Sequence, residues 1–272
     1  MALRALLKYL ALGLMVAVVA WPIYWMITIS LKSSRDIYRL PSLFPTAITF
    51  DNYRVLLIDK QFLVNIGNSL IVASAVTLVS LLASALAAYS LVRYKYRFRR
   101  GIGRLILLAY LTPTSLLFVP LSIIVAQFEL GNSLHGLVAV YLAFSVPFCT
   151  WLLMGYFRGI PPDLEEQAMV DGTTRLGAFV RVLIPLSAPG LVATAIFTFA
   201  GAWNELLLAL IFITSPGTRT VPLALQYLIT GDVFLWGPIM AGAVFSAVPV
   251  MFLYFLAQRF VVQGLTGGSV KG

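Results

Sequence analysis

The sequence predicts an all-α, polytopic membrane protein with six transmembrane helices. Three observations carry that prediction. The 272 residues are 60% hydrophobic and only 11% charged, whereas a water-soluble domain is nearer half apolar and a quarter charged. Six apolar runs reach the ~20 residues that a helix needs to cross hydrocarbon. The basic residues gather beside those runs, more on one side than the other, so topology accounts for the formal charge of +9 and no nucleic acid is expected as a partner. A lone cysteine, Cys149, and a lone histidine, His135, argue against internal disulfides and against a Cys- or His-based metal cluster.

The first span covers about residues 9–31, behind Arg4 and Lys8. Its apolar run is too long for a signal-peptide core and Trp21-Pro22 is a poor cleavage context, so it reads as an uncleaved anchor. In the outer segment 32–64, Pro41 and Pro45 forbid continuous helix, while Asp51 is placed to cap a short one through Leu57. The second span is 65–92. Its Ser80, Ser84 and Ala88 share one face and mark a close-packing seam. The third is 105–127 and the fourth 137–156, followed by a polar segment, 157–185. The fifth is 186–213, then an outer loop 214–237, a sixth span 238–262 and a tail 263–272, all within one transmembrane domain of residues 1–272. Pro22, Pro120, Pro147, Pro189 and Pro249 are expected to bend these helices or mark their ends.

Orientation follows from the basic residues. With the amino terminus inside, 13 of the 19 Lys and Arg face the cytoplasm, and the tract from Arg93 to Arg104 carries no acid at all. Both termini and the 161–185 stretch are therefore expected on the cytoplasmic side.

That stretch, PPDLEEQAMVDGTTRLGAFVRVLIP, reads as two short helices joined at a glycine. Asp163 is placed to cap the first, with Glu166 at capping-box spacing. Gly172 is the expected left-handed stop. Thr173 or Thr174 caps the second, whose Leu176, Phe179, Val180 and Leu183 form an apolar stripe.

Glu166-Gln167-Ala168, then Gly172, Val182 and Pro185 resemble the EAA loop of ABC-importer permeases (E-A-A, x3, G, x9, I-x-L-P), with Gln167, Val182 and Ile184 as mild departures. The tail GLTGGSVKG is similar to the ending of permease subunits of carbohydrate ABC importers of the maltose/trehalose type, binding-protein-dependent inner-membrane components. The resemblance covers nearly the whole chain and implies the type I ABC-importer permease fold in a prokaryotic cytoplasmic (inner) membrane. It also implies a subunit that is not itself an enzyme: no G-x-x-x-x-G-K-[ST] occurs, so ATP and Mg belong to a partner ATPase and no cofactor is expected in this chain.

The implied partners are an ATPase dimer, a second permease, an extracytoplasmic sugar-binding protein or lipoprotein, the sugar itself and membrane lipid. The ATPase-coupling residues would be Asp163, Glu165, Glu166, Gln167, Ala168, Met169, Asp171, Gly172, Arg175 and Pro185. A permease for a non-sugar solute, or a secondary transporter, is the alternative.

In the fifth span, Asn204 and Glu205 lie about 18 residues from its cytoplasmic start, roughly 27 Å along a helix and so near the outer boundary of the hydrocarbon. Trp203, Asn204 and Glu205 are candidates for the translocation path or outer gate, and the triplet is similar to the fifth helix of sugar permeases. Interfacial snorkelling or helix–helix hydrogen bonding is the other reading. In the outer loop, Gln226, Tyr227, Gly231 and Asp232 are candidates for contact with the binding protein, the alternative being an interfacial turn anchored by Tyr227 and Trp236.

Overall fold

The computed structural model describes residues 2–39, 42–231 and 233–267, and their side chains except at 2, 3, 230 and 259–267. Asp232 and the last five residues of the tail lie outside the described residues. The chain forms two compact units, Met1–Ile66 with Leu223–Pro249, and Gly67–Pro222 with Val250–Gly272.

In the first unit α1 (Ala2–Ser30) is apolar beyond Lys8 and runs through Pro22. Its carboxyl end is tied down by polar contacts. Lys32, only 2% exposed, donates through Nζ to the Ser42 carbonyl and stands over the Trp25 ring. Ser33 caps α2 (Ser34–Ile37) by accepting from the Asp36 N–H. Hydroxyl donation from Thr46 and Ser33 holds the Asp36 carboxyl below the usual carboxylate range. The short helix α3 (Asp51–Arg54) begins at Asp51, without a side-chain cap, and continues as a π-helical turn, Val55–Asp59. Asn52 fixes it by donating to the carbonyls of Ser30 and Lys32, at 2.9 and 2.7 Å.

The long helix α4 (Phe62–Arg93) leads into the second unit. After it come α5 (Arg99–Leu111), α6 (Thr114–Gln127) and α7 (Leu134–Arg158). The expected seam forms: Ser80, Ser84 and Ala88 are fully buried, and the Ser84 hydroxyl donates to the Val146 carbonyl of α7 at 3.0 Å. The third expected span is not one rod. α5 and α6 meet at 100°, because Pro113 drives Thr112 out of the helical region, to φ −70°, ψ 124°. Pro22, Pro120, Pro147 and Pro249 instead lie inside continuous helices.

The polar segment supplies α8 (Asp163–Val170), α9 (Arg175–Ala178), a π-helical turn Phe179–Leu183 and the single turn α10 (Ile184–Leu186). The fifth expected span is then broken twice. The Arg175–Leu186 stretch meets α11 (Ala188–Asn204) at 75°, with Pro189 in its first turn. After α11 the chain is extended at Glu205 before α12 (Leu207–Phe212) begins. Last come α13 (Val221–Gln226), a two-stranded hairpin of β1 (Ile229–Thr230) and β2 (Val233–Phe234), and α14 (Trp236–Gly267). Among the described residues, four helices are long and apolar enough to cross a membrane, or up to six spans if each bent pair counts as one. The core of the second unit packs Ala88, Tyr89 and Leu91 of α4 with Leu153 and Phe157 of α7 and with Phe179 and Leu183.

Candidate functional site

The polar two-helix segment is built from three local rules. Pro162 precedes α8, and its carbonyl accepts from the N–H groups of Glu165 and Glu166. Asp163 is therefore the first helical residue rather than the cap, and no side chain caps this end. Asp163, Glu165 and Glu166 instead place three carboxylates on the first turn, where the helix dipole favours them. Gly172 stops the helix at φ +90°, a backbone that L side chains rarely adopt. Thr174 then caps α9, its Oγ1 accepting from the Gly177 N–H at 3.1 Å.

The two carboxylates Glu165 and Glu166 part company. Glu166 is exposed, as are Gln167, Asp171, Arg175 and Pro185. Glu165 is buried and accepts from Arg93 Nε at 2.6 Å, while Arg93 Nη2 donates to the Ile160 carbonyl at 2.9 Å. Arg175, exposed as it is, also covers the Tyr94 ring at 5.1 Å. Its backbone carbonyl lies 3.4 Å from the Tyr89 hydroxyl. The expected apolar stripe divides the same way. Phe179 and Leu183 turn inward, Phe179 lying 4.5 Å from the Tyr89 ring, whereas Leu176 and Val180 are 65% and 53% exposed. Ala168 and Met169 are half-buried and Val170 beside them is 88% exposed. The segment thus has an anchored face and a free face, and the free face carries apolar as well as polar groups.

Arg93 and Val170 join the site as residues that sequence reasoning passed over. Arg93 was indistinguishable from its basic neighbours, because its partner lies 72 positions away. Val170 carried a signal of a kind, as an apolar residue within a polar stretch directly before Asp171-Gly172.

The second cluster surrounds Glu205. Of the candidate path residues, Asn204 is exposed and bonds back to the Ala200 carbonyl at 2.8 Å. Trp203 is buried and stacks on Phe199. The Glu205 carboxylate caps α12, accepting from the N–H groups of Leu208 and Ala209, and it also accepts from the Tyr141 hydroxyl at 2.6 Å. A carboxylate that replaces lost backbone acceptors explains why the helix breaks here without Pro or Gly. Beside it lies a cavity of about 280 Å³, lined by Tyr110, Phe144, Phe148 and Phe197 together with Thr198 and Glu205. Aromatic faces, hydroxyls and one carboxylate thus share the wall of this cavity.

In the outer loop Gln226 ends α13, and both it and Tyr227 are exposed. Gly231, directly after β1, takes φ +57°, a left-handed conformation that glycine adopts at little cost. Among the described residues no group of His, Cys, Asp and Glu has the arrangement to hold a metal ion.

The family model for "binding-protein-dependent transport system inner membrane component" matches residues 80–267. The chain is 38% identical over 267 residues to the sulfoquinovosyl glycerol transport system permease protein SmoH of Agrobacterium fabrum, covering 98% of this chain and 94% of that one. It is 35% identical over 280 residues to the trehalose/maltose transport system permease protein MalG of Thermococcus litoralis, covering 99% and 98%. Its fold is that of a chain in the crystal structure of a bacterial ABC transporter that imports the acidic polysaccharide alginate. The TM-score there is 0.81 at 20% identity, over 96% of this chain and 97% of that chain.

Proposed function

The chain belongs to the binding-protein-dependent transport system inner membrane components, and from that membership we propose that it is one of two permease subunits of an ATP-driven carbohydrate importer. Both termini and the 163–186 segment face the cytoplasm, where an ATPase dimer engages the segment. A second permease completes the conduit and a sugar-binding protein delivers substrate from outside. ATP binding and hydrolysis, with Mg, are the work of the ATPase.

The observation that carries this reading is the division of the polar segment into an anchored and a free face. Arg93, Phe179 and Leu183 join α8 and the helix after it to α4 and α7, so a push on the segment moves the membrane helices with it. Glu166, Gln167, Val170, Leu176 and Val180 are left exposed for a groove in the ATPase, as in helix-in-groove recognition. ATPase closure then biases a two-state helix bundle between inward- and outward-facing forms.

The carbohydrate assignment is supported by what full-length relatives carry and by the aromatic, hydroxyl-bearing cavity at Glu205. In the outer loop Gln226, Tyr227 and Gly231, with Asp232, are the proposed contacts for the binding protein.

The test is cysteine cross-linking from Met169→Cys, with Cys149 replaced, to the groove of a co-expressed ATPase, with and without ATP. A nucleotide-dependent cross-link is expected. If no ATPase is captured in any nucleotide state, the coupling role of this segment is abandoned.

A further inference from the structure

We propose that the groove between α5 and α7 is a binding site for an anionic phospholipid. The headgroup lies against Arg100, Arg104 and Arg158, and an acyl chain runs past Leu107 and Trp151. The groove is a cavity of about 540 Å³, and no acidic residue lines it. Its guanidinium groups come from two helices, Arg99, Arg100 and Arg104 from α5 and Arg158 from α7, Arg99 also donating to the Tyr94 carbonyl. Topological bias alone asks only that basic residues flank a span; it does not gather them from distant parts of the chain around one concavity.

The charges in that concavity are uncompensated. The neighbouring Arg93 is committed to Glu165, whereas Arg100, Arg104 and Arg158 form no salt bridge among the described residues. Several guanidinium groups around one cavity repel one another, and an anion between them converts that repulsion into attraction. The amino end of α5 adds to the field. It is 13 residues long and has no side-chain cap, so its first N–H groups and the helix dipole also favour negative charge.

The rest of the lining selects a lipid over a free anion. Leu91, Leu107 and Met154 make an apolar floor below the arginines, and Trp151 stacks on Tyr110 at 6.0 Å along the exposed flank of the same two helices. Basic pockets between membrane helices with apolar walls suit acidic headgroups in this way. There is also room for the ligand: Gly155 lines the groove, and a Cβ added there meets nothing within 4 Å.

The test is native mass spectrometry of the full chain in neutral detergent, titrated with phosphatidylglycerol and, separately, with phosphatidylcholine. Two variants are compared. Arg100→Gln/Arg104→Gln/Arg158→Gln removes charge, and Gly155→Phe fills the groove with every charge in place. A basic side chain near an anionic membrane surface is worth about five-fold in affinity. The triple variant is therefore expected to lose about 100-fold in phosphatidylglycerol affinity, with phosphatidylcholine unchanged. Gly155→Phe is expected to lose a similar factor.

An unchanged phosphatidylglycerol affinity in Gly155→Phe overturns the proposal, since the lipid is then held by diffuse surface charge, and this arm stands even if the triple variant misfolds. Displacement of the lipid by millimolar inorganic phosphate overturns it in favour of a free-anion site. In the assembled importer, a photo-cross-linker at position 155 is expected to capture lipid. Capture of a protein subunit there instead overturns the assignment.

Discussion

Arg93, at the end of α4, and Glu165, in the first turn of α8, form a nearly buried ion pair at 2.6 Å, with side chains 12% and 5% exposed. It joins a membrane helix to the polar two-helix segment across 72 positions of sequence. Removing one partner leaves the other charge buried, at a cost of about 3–5 kcal/mol. Arg93→Met is expected to lower the unfolding temperature of the purified chain and to reduce uptake by the assembled importer. Glu165→Leu combined with Arg93→Met should recover most of the stability but not the coupling. Additive losses in the double variant, measured by thermal unfolding, would show that the pair does not act as a unit.

Gly172 holds φ +90° with open space around it, so any penalty there is conformational rather than steric. Gly172→Leu places a Cβ in a region that costs roughly 1–2 kcal/mol and is expected to lose ATP-coupled transport while the complex still assembles. Gly172→Asn, which tolerates positive φ better, should lose less. Equal transport by the Leu variant and the parent chain would mean that the turn is not needed in the working cycle.

Glu205 caps α12 and accepts from Tyr141. Glu205→Gln keeps an acceptor but not the charge, and it should alter uptake rate without abolishing assembly. Glu205→Ala leaves buried donors unpaired, at about 1–3 kcal/mol, and should also lower thermal stability. Wild-type uptake by the Gln variant would remove Glu205 from the translocation path.

Gly190 in α11 faces Tyr156 of α7 so closely that an added Cβ would sit 2.4 Å from the ring. Gly190→Ala is expected to destabilise by about 1–3 kcal/mol through overpacking, and Tyr156→Ala should relieve much of that loss. Thermal unfolding of the two single variants and the double measures it. If the double variant is no more stable than Gly190→Ala, the close approach is not the cause.

What the sequence by itself determined was set by local chemistry. Span length and apolar content made this a membrane protein, Gly172 marked the turn, and Thr173 or Thr174 marked the start of the second short helix, the structure choosing Thr174. The tertiary structure decided which side of each element mattered. Glu165 and Glu166 are adjacent carboxylates of nearly equal helical propensity, and only the position of Arg93 turns one inward. Leu176 with Val180 and Phe179 with Leu183 have the same four-residue spacing, and only packing against Tyr89 and Phe157 separates a free face from an anchored one. At Glu205 the sequence marks a polar interruption, Asn204-Glu205, but not that the helix breaks there. What the fold adds to the local cap of α12 is Tyr141, 64 positions away, whose hydroxyl donates to the Glu205 carboxylate.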